Sequence, residues 1–236
     1  MEKALKEPTS PVAQDWKSVA ALIDHTLLKP EATRAQVAKL CAEAVKYGFC
    51  SVMVNPANVA QAVSLVQGST VLVGTVIGFP LGATTGTAKL AEAVDCLRLG
   101  AKELDMVINI GALKSGERTV VSSEIKALAD LAHRSGAILK VIIETALLDT
   151  DEKILACKLA ADAGADFVKT STGFSTAGAT VSDVALMRGV VGTKIGVKAA
   201  GGIRTASDVQ AMMDAGANRI GASASVAIVR EMGAPE

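Results

Sequence analysis

The sequence predicts an α/β fold, and specifically a single-domain (β/α)8 TIM barrel. Eight short β-branched segments alternate with longer alanine-rich segments of helical spacing between about residues 20 and 232, an order that favours parallel strands covered by helices. A Gly-Ala or Gly-Phe pair recurs at five joints between a helix and the next strand. An open doubly wound sheet is the main alternative, but the chain has neither the G-x-G-x-x-G fingerprint nor a P-loop.

Each predicted strand is a run of four to eight residues rich in branched side chains. The predicted strands span 22–27, 50–55, 70–77, 102–109, 138–144, 166–170, 195–199 and 219–222. Several of the predicted helices begin at capping residues such as Thr33, Ser182 and Ser207, and several end at glycines. They span 33–47, 57–66, 84–99, 117–135, 151–163, 182–190, 206–215 and 224–231. We expect residues 15–236 to form the barrel domain and residues 1–14 an extended or mobile arm.

The composition argues against several classes of protein. Lysine plus arginine and aspartate plus glutamate both number 24, whereas a general nucleic-acid binder would be basic. Aromatic residues make up 3% of the chain, too few for the base-stacking surfaces of single-strand binders. The charged N-terminal segment and the lack of any long apolar run predict a cytoplasmic protein without a membrane segment.

Cysteine and histidine usage argues against a metal centre. The four cysteines are widely spaced with no C-x-x-C pair, and the two histidines form no zinc-binding motif. We therefore predict no metal and reduced thiols. His25 follows Asp24, so on a strand it would face the helices, and we interpret it as structural.

Charged residues inside the predicted strands indicate chemistry. In a barrel, side chains of one parity point inward, and functional groups gather at the carboxyl ends of the strands. Glu103 and Asp105 share one face of the fourth predicted strand. Lys169 on the sixth strand and Lys198 on the seventh are expected to point inward as well.

Two lysines on adjacent strands favour a reactive amine. A neighbouring ammonium and partial burial lower a lysine pKa, and a fall to about 7 corresponds to about 4.6 kcal/mol between the two protonation states. The neutral amine can attack a carbonyl and form a Schiff base, which withdraws electrons from an adjacent carbon–carbon bond. The alternative is that each lysine neutralises a buried carboxylate, as in a pair of Lys198 with Asp105 or of Lys140 with Glu144.

Glycines after the last two predicted strands suggest a phosphate site. Gly201 and Gly202 follow the seventh strand, and Gly221, Ala222 and Ser223 end the eighth. Barrels often bind phosphate in this region with backbone amides, and glycine lets the backbone approach the anion. The alternative is that these glycines serve only as tight turns.

Several segments resemble the deoxyribose-phosphate aldolase family, in order and at fitting spacings. They are IDHTLLKPEAT, VNPANV, GTVIGFPLGATT, ELDMVINIGALKSG, KVIIETALL, ADFVKTSTGF, VKAAGGIRT and RIGASAS. The resemblance implies a class I aldolase that reversibly splits 2-deoxy-D-ribose 5-phosphate into acetaldehyde and D-glyceraldehyde 3-phosphate without metal or cofactor. It also implies a homodimer, since relatives are often dimers.

The resemblance also assigns roles to residues. It implies that Lys169 forms the Schiff base, that Lys198 lowers the pKa of Lys169 and shuttles protons, and that Asp105 relays protons. Asp24 and Thr26 would line the site. The residues matching the family's phosphate-holding loops are Thr170, Gly173, Gly201, Gly202, Gly221 and Ser223.

Departures from the family pattern include Met53, where many members have a cysteine, and Ala224, where some members have a second serine. Two other functions stay open from the sequence. One is a different lysine-based barrel aldolase or transaldolase that acts on a ketose phosphate. The other is a barrel that binds sugar phosphates without catalysis.

Overall fold

The structure, a computed structural model that describes residues 15–236, is a closed barrel of eight parallel strands. The strands pair in chain order, and the last pairs with the first. They are β1 (Ile23–Leu27), β2 (Ser51–Val54), β3 (Leu72–Ile77), β4 (Glu103–Val107), β5 (Ile138–Ile142), β6 (Phe167–Lys169), β7 (Gly196–Ala200) and β8 (Arg219–Ala222). The predicted (β/α)8 barrel is confirmed, whereas the predicted N-terminal arm, residues 1–14, lies outside the described residues.

Helices surround the barrel in the predicted alternation. They are α1 (Trp16–Ala20), α2 (Arg34–Tyr47), α3 (Val59–Val66), α4 (Gly86–Arg98), α5 (Ile110–Lys114), α6 (Arg118–Arg134), α7 (Thr150–Asp162), α8 (Val181–Val191), α9 (Ala206–Asp214) and α10 (Ser225–Glu231). Short 3-10 turns cover Pro56–Asn58 and Thr145–Leu147. The sequence did not predict α1 and α5, because five residues are too few to show a helical period. None of the helices within residues 15–236 is long and apolar enough to cross a bilayer.

The caps explain where several elements begin and end. Thr33 forms a capping box with Gln36 and begins α2 as predicted. The caps expected at Ser182 and Ser207 are wrong, because the hydroxyls of Thr180 and Thr205 cap α8 and α9 two residues earlier. In each case the threonine oxygen accepts a backbone N–H of the first helical turn.

Glycines inside the barrel make room for larger inward side chains. Gly196 of β7 lies beside Phe167 of β6, and a Cβ at residue 196 would sit 2.1 Å from the Phe167 ring. Gly74 of β3 does the same for Met53 of β2, whose sulfur would lie 2.3 Å from the added carbon. The barrel is therefore filled by side chains and is not a pore.

We predict that Gly196→Ala lowers the free energy of unfolding by about 1–3 kcal/mol, because the new methyl group overpacks against Phe167. Urea denaturation measures the change. Gly189 is the matched control, since it is exposed in α8 with nothing within 4 Å of an added Cβ. Gly189→Ala should stabilise the protein by about 1 kcal/mol through helix propensity. Equal stabilities of the two variants would contradict the prediction.

Candidate active site

One carboxylate at the centre of the barrel joins the two predicted lysines. Lys169 Nζ donates to Asp105 Oδ2 at 2.8 Å, and Lys198 Nζ donates to the same oxygen at 2.7 Å. Lys169 and Lys198 are direct neighbours in the β6–β7 register, so both side chains point inward at one level. The structure thus brings together the three residues that the sequence singled out.

A third lysine binds the other oxygen of this carboxylate. Lys140 Nζ donates to Asp105 Oδ1 at 3.0 Å and to Glu103 Oε2 at 2.6 Å. The alternative pair of Lys140 with Glu144 is wrong, because β5 ends at Ile142 and the Glu144 backbone is left-handed, with a φ of 56°. The Glu144 carboxylate accepts instead from the hydroxyl and backbone N–H of Thr172.

Further charges lie beside this centre inside the barrel. Asp24 Oδ2 lies 2.5 Å from Lys198 Nζ, and Asp24 Oδ1 lies 3.1 Å from Arg219 Nε. The Arg219 guanidinium also contacts Glu103. Sequence reasoning assigned no site role to Lys140, Glu103 or Arg219. Strand parity had already put Glu103 on the same face as Asp105. No inward residue had been recognised on β5, and only the register shows that Lys140 lies opposite Asp105 and that Arg219 lies opposite Lys198.

The charges of this network balance only when one lysine is neutral. Within the described residues, the barrel interior holds three carboxylates, which belong to Asp24, Glu103 and Asp105. It also holds four basic side chains, which belong to Lys140, Lys169, Lys198 and Arg219. A buried unbalanced charge is costly, so loss of one proton from the group of lysines is favoured.

Lys169 is the lysine placed to lose that proton. Burial lowers the pKa of Lys169 to about 8; Asp105 opposes this shift, and the Lys198 and Lys140 ammonium groups add to it. The sequence had put the neighbouring ammonium first, whereas burial is the larger cause. Burial alone would raise the pKa of Asp105, but the three lysines outweigh it and hold that pKa well below its usual range. Asp105 is therefore a carboxylate at neutral pH.

Lys169 reaches a cavity of about 310 Å³ at the carboxyl ends of the strands. Lys140 and Lys198 do not line this cavity, which leaves Lys169 as the accessible amine of the three. The cavity wall also contains most of the residues predicted to hold phosphate or to line the site, namely Thr26, Gly173, Gly201, Gly202, Gly221 and Ser223.

Two predicted residues lie away from the cavity wall. The Thr170 hydroxyl is fully buried and pairs with the backbone N–H and carbonyl of Ala200, both at 3.1 Å. Asp24 is buried beneath the wall against Lys198. Thr26 connects the cavity wall to the buried Asp24. It lines the cavity, and its hydroxyl donates to the Asp24 backbone carbonyl at 2.8 Å.

Left-handed glycines form the end of the cavity beyond the amine. Gly173, Gly201 and Gly202 have φ values of 84°, 89° and 82°, a region that side chains other than glycine rarely adopt. Such turns can direct backbone N–H groups toward one anion. Lys29 and Arg204 also line this cavity and supply positive charge. Lys29 lies in a loop, where neither helical period nor strand alternation gives a signal, so sequence reasoning missed it.

Comparison with known proteins agrees with this geometry. Residues 18–234 match the profile of the DeoC/LacD family aldolases. The chain belongs to that aldolase family. It is 56% identical to a Clostridium perfringens protein named deoxyribose-phosphate aldolase, over 91% of this chain and 95% of the relative. A Geobacillus protein of the same name is 57% identical, over 90% of this chain and 95% of that one.

The fold of the aldolase also matches a solved structure in the family. The deoxyribose phosphate aldolase from Aeropyrum pernix, described as having a unique tetrameric structure, superimposes with a TM-score of 0.86 at 37% identity. The match covers 91% of each chain. The resemblance read from the sequence motifs is therefore confirmed, and so is the prediction of an aldolase.

At Met53, where many family members have a cysteine, this aldolase has a buried thioether on β2. Met53 is buried and packs with Leu28, Val76 and Phe79. Cys50, three residues earlier, is half-buried, and its sulfur contacts Arg219. Burial raises the pKa of the Cys50 thiol. No thiol therefore takes the position of Met53.

We predict that Schiff-base formation with acetaldehyde accelerates about tenfold between pH 7 and pH 9, because the neutral fraction of an amine with a pKa of about 8 rises by that factor. Borohydride quenching at successive times, followed by peptide mass mapping of Lys169, measures the rate. Lys198→Met should move the midpoint to higher pH, because it removes an ammonium that lowers the pKa of Lys169. Lys158→Met, at an exposed position of α7, should leave it unchanged. A midpoint near that of free lysine in the unsubstituted enzyme would contradict the assignment.

Proposed function

We propose that this aldolase reversibly cleaves 2-deoxy-D-ribose 5-phosphate to acetaldehyde and D-glyceraldehyde 3-phosphate through a Schiff base on Lys169. One observation carries the proposal: a buried lysine that shares a carboxylate oxygen with a second lysine opens into a cavity whose far end is built from left-handed glycines. The names of the similar proteins from Clostridium perfringens and Geobacillus support the choice of substrate.

In the forward direction, the neutral Lys169 amine attacks the C1 aldehyde of the open sugar. The carbinolamine loses water and becomes an iminium ion. As the C3 hydroxyl gives up its proton, the C2–C3 bond breaks, its electron pair moves toward the iminium nitrogen, and glyceraldehyde 3-phosphate leaves. The resulting enamine takes a proton at C2 and is hydrolysed to acetaldehyde and free Lys169.

The buried network supplies the proton carriers for these steps. The Lys198 ammonium would give a proton to the carbinolamine hydroxyl as it leaves as water. Asp105, acting through a water molecule, would then receive the C3 hydroxyl proton and pass it to the neutral Lys198 amine, 2.7 Å away. Because Asp105 also binds Lys169, the same carboxylate orients the amine for attack. Asp24 stays ionised, since burial opposes ionisation but Lys198, Lys140 and Arg219 lower its pKa to about 2. It would therefore hold Lys198 in place as a fixed countercharge.

The glycine-lined end of the cavity would bind the phosphate group. Backbone N–H groups at Gly173, Gly201 and Gly202 can approach a phosphate closely, because no side chain is present to block it. Lys29 and Arg204 would add long-range attraction for the dianion. The buried Thr170 hydroxyl would support the Ala200 backbone next to this turn.

The test of the function is an assay of the purified protein with 2-deoxyribose 5-phosphate. We expect Lys169→Leu to abolish cleavage and Lys198→Leu to lower kcat by about 10²-fold or more, the range of a lost proton-transfer group. Lys158→Leu is the control for removal of an exposed lysine and should retain full activity. Unchanged rates in Lys169→Leu would refute the nucleophile. Labelling of Lys169 by a ketone donor but not by acetaldehyde would favour an aldolase that acts on a ketose phosphate.

We predict that Arg204→Met and Lys29→Met each raise KM for 2-deoxyribose 5-phosphate about two- to fivefold at low salt, with kcat unchanged, because partly exposed cation–phosphate pairs contribute modestly. The increase should shrink as ionic strength rises. Steady-state kinetics at two salt concentrations measures both effects. Arg34→Met, at an exposed site at the start of α2, is the matched control. A fall in kcat with an unchanged KM would contradict a role in phosphate binding.

The homodimer and the cytoplasmic location stay predictions for this aldolase. Light scattering on the purified protein gives its mass in solution and decides the first. A mass equal to one chain would contradict the dimer.

A further inference from the structure

A chain of three polar side chains runs outside the barrel, next to the phosphate-binding end of the cavity. His25 of β1 faces the helices as predicted, is 3% exposed and packs on Phe49, with ring centroids 5.0 Å apart. Its Nδ1 lies 3.0 Å from Ser225 Oγ, and its Nε2 lies 3.0 Å from Glu43 Oε2 of α2. The proposed reaction uses none of these groups.

The protons in this chain can be assigned from its acceptors. Burial lowers the pKa of His25 below its usual value, although Glu43 opposes the shift, so the ring is neutral at pH 7. The Glu43 carboxylate can only accept, which places the ring proton on Nε2. Nδ1 is then an acceptor, and it lies 3.0 Å from the Ser225 hydroxyl oxygen.

Ser225 connects this histidine to the end of β8 and the turn that follows it, which line the cavity. Its hydroxyl donates to the Ala222 carbonyl at 2.9 Å, and the same proton faces His25 Nδ1, so the two acceptors hold it in a three-centre hydrogen bond. Ala222 is also the direct neighbour of His25 in the β1–β8 register. Gly221, Ala222 and Ser223 lie on the cavity wall, whereas Ser225 is fully buried and does not.

The hydroxyl of Ser225, the serine that follows Ser223 in this segment, is already engaged in hydrogen bonds within the protein. The Ser225 hydroxyl points to His25 and Ala222, so it cannot contact a ligand in the cavity. Ala224, the departure noted in the sequence, has no polar side chain to offer. The turn must therefore bind an anion with its backbone and Ser223, and its backbone has to be held in one conformation to do so.

We propose that His25, acting through Ser225, is a positioning residue that fixes the end of β8 and the turn that follows it, residues 221–223, for phosphate binding and does not affect the reactivity of Lys169. The inference rests on the proposed function. Two features separate it from the amine centre. The His25 side chain lies on the outer face of β1, whereas its neighbour Asp24 points inward to Lys198. The contacts of His25 lead to the turn and to α2, not to the buried lysines.

The test compares two measurements that depend on different parts of the site. Steady-state kinetics with 2-deoxyribose 5-phosphate reports on phosphate binding, and borohydride trapping of acetaldehyde on Lys169 reports on the amine alone, because acetaldehyde has no phosphate. For His25→Phe we expect KM to rise about five- to tenfold, the effect of losing one buried hydrogen bond, with kcat within about twofold. The trapping rate should not change.

Two further variants keep the test independent of misfolding. Ser225→Ala removes only a hydroxyl and should raise KM by a similar factor. His25→Asn keeps an amide near the position of Nδ1 that can accept from Ser225, so it should restore most of the affinity lost in His25→Phe. The control is His133→Phe, at an exposed histidine that bonds Asp166 before β6, and it should match the unsubstituted enzyme in both measurements.

The outcomes are distinct. An unchanged KM in both His25→Phe and Ser225→Ala overturns the inference, and so does a trapping rate that falls in parallel with affinity. Failure of His25→Asn to restore binding overturns the hydrogen-bond argument. If the unsubstituted protein does not cleave 2-deoxyribose 5-phosphate, the proposed function fails instead. The affinity for inorganic phosphate, measured by calorimetry, then tests the inference. A five- to tenfold weaker affinity in His25→Phe than in the unsubstituted protein supports it, and an unchanged affinity overturns it.

Discussion

The shared carboxylate of Asp105 is the interaction on which the rest of the site depends. It accepts from Lys140 through one oxygen and from Lys169 and Lys198 through the other. Three basic side chains can occupy one buried space only if an anion of fixed position lies between them. Asp105 therefore decides where each amine lies, and it does so from the middle of a rigid strand.

A closed barrel suits this arrangement because it lets inward side chains from non-adjacent strands meet. Asp105 is opposite Lys140 in the β4–β5 register, and Lys169 is opposite Lys198 in the β6–β7 register. In the β5–β6 register, Lys169 is opposite Ile142 and not Lys140, so the two pairs meet across the barrel interior. The surrounding hydrophobic layer between strands and helices is continuous and excludes water from behind the charges. Low solvent access is also what lowers the pKa of Lys169 most. Packing that stabilises the fold thus also lowers the pKa of the proposed nucleophile.

The two ends of the cavity are built from different kinds of structure. The proposed reactive amine of Lys169 lies on a strand and is held by ion pairs, whereas the proposed phosphate end consists of turns whose glycines have left-handed backbones. Strands are held by neighbours on both sides, but a turn needs other support. Thr170 supplies it by bonding the Ala200 backbone, and His25 is placed to do the same for the turn after β8 through Ser225. In this proposal, buried polar groups near the site affect substrate binding without touching the substrate.

The sequence by itself determined the barrel, the inward direction of Lys169, Lys198 and Asp105, and the family. Period and parity are local properties, so eight alternating units and the faces of their strands can be read without coordinates. Only the tertiary structure decided which charges meet. Lys140 pairs with Glu103 and Asp105 instead of Glu144, because the left-handed turn at Glu144 directs its carboxylate elsewhere. The partner of a side chain inside a barrel lies on another strand and depends on the register between the strands. Burial depends on the whole packed molecule. Neither the choice of ion pairs nor the pKa of Lys169 can therefore be predicted from any single segment.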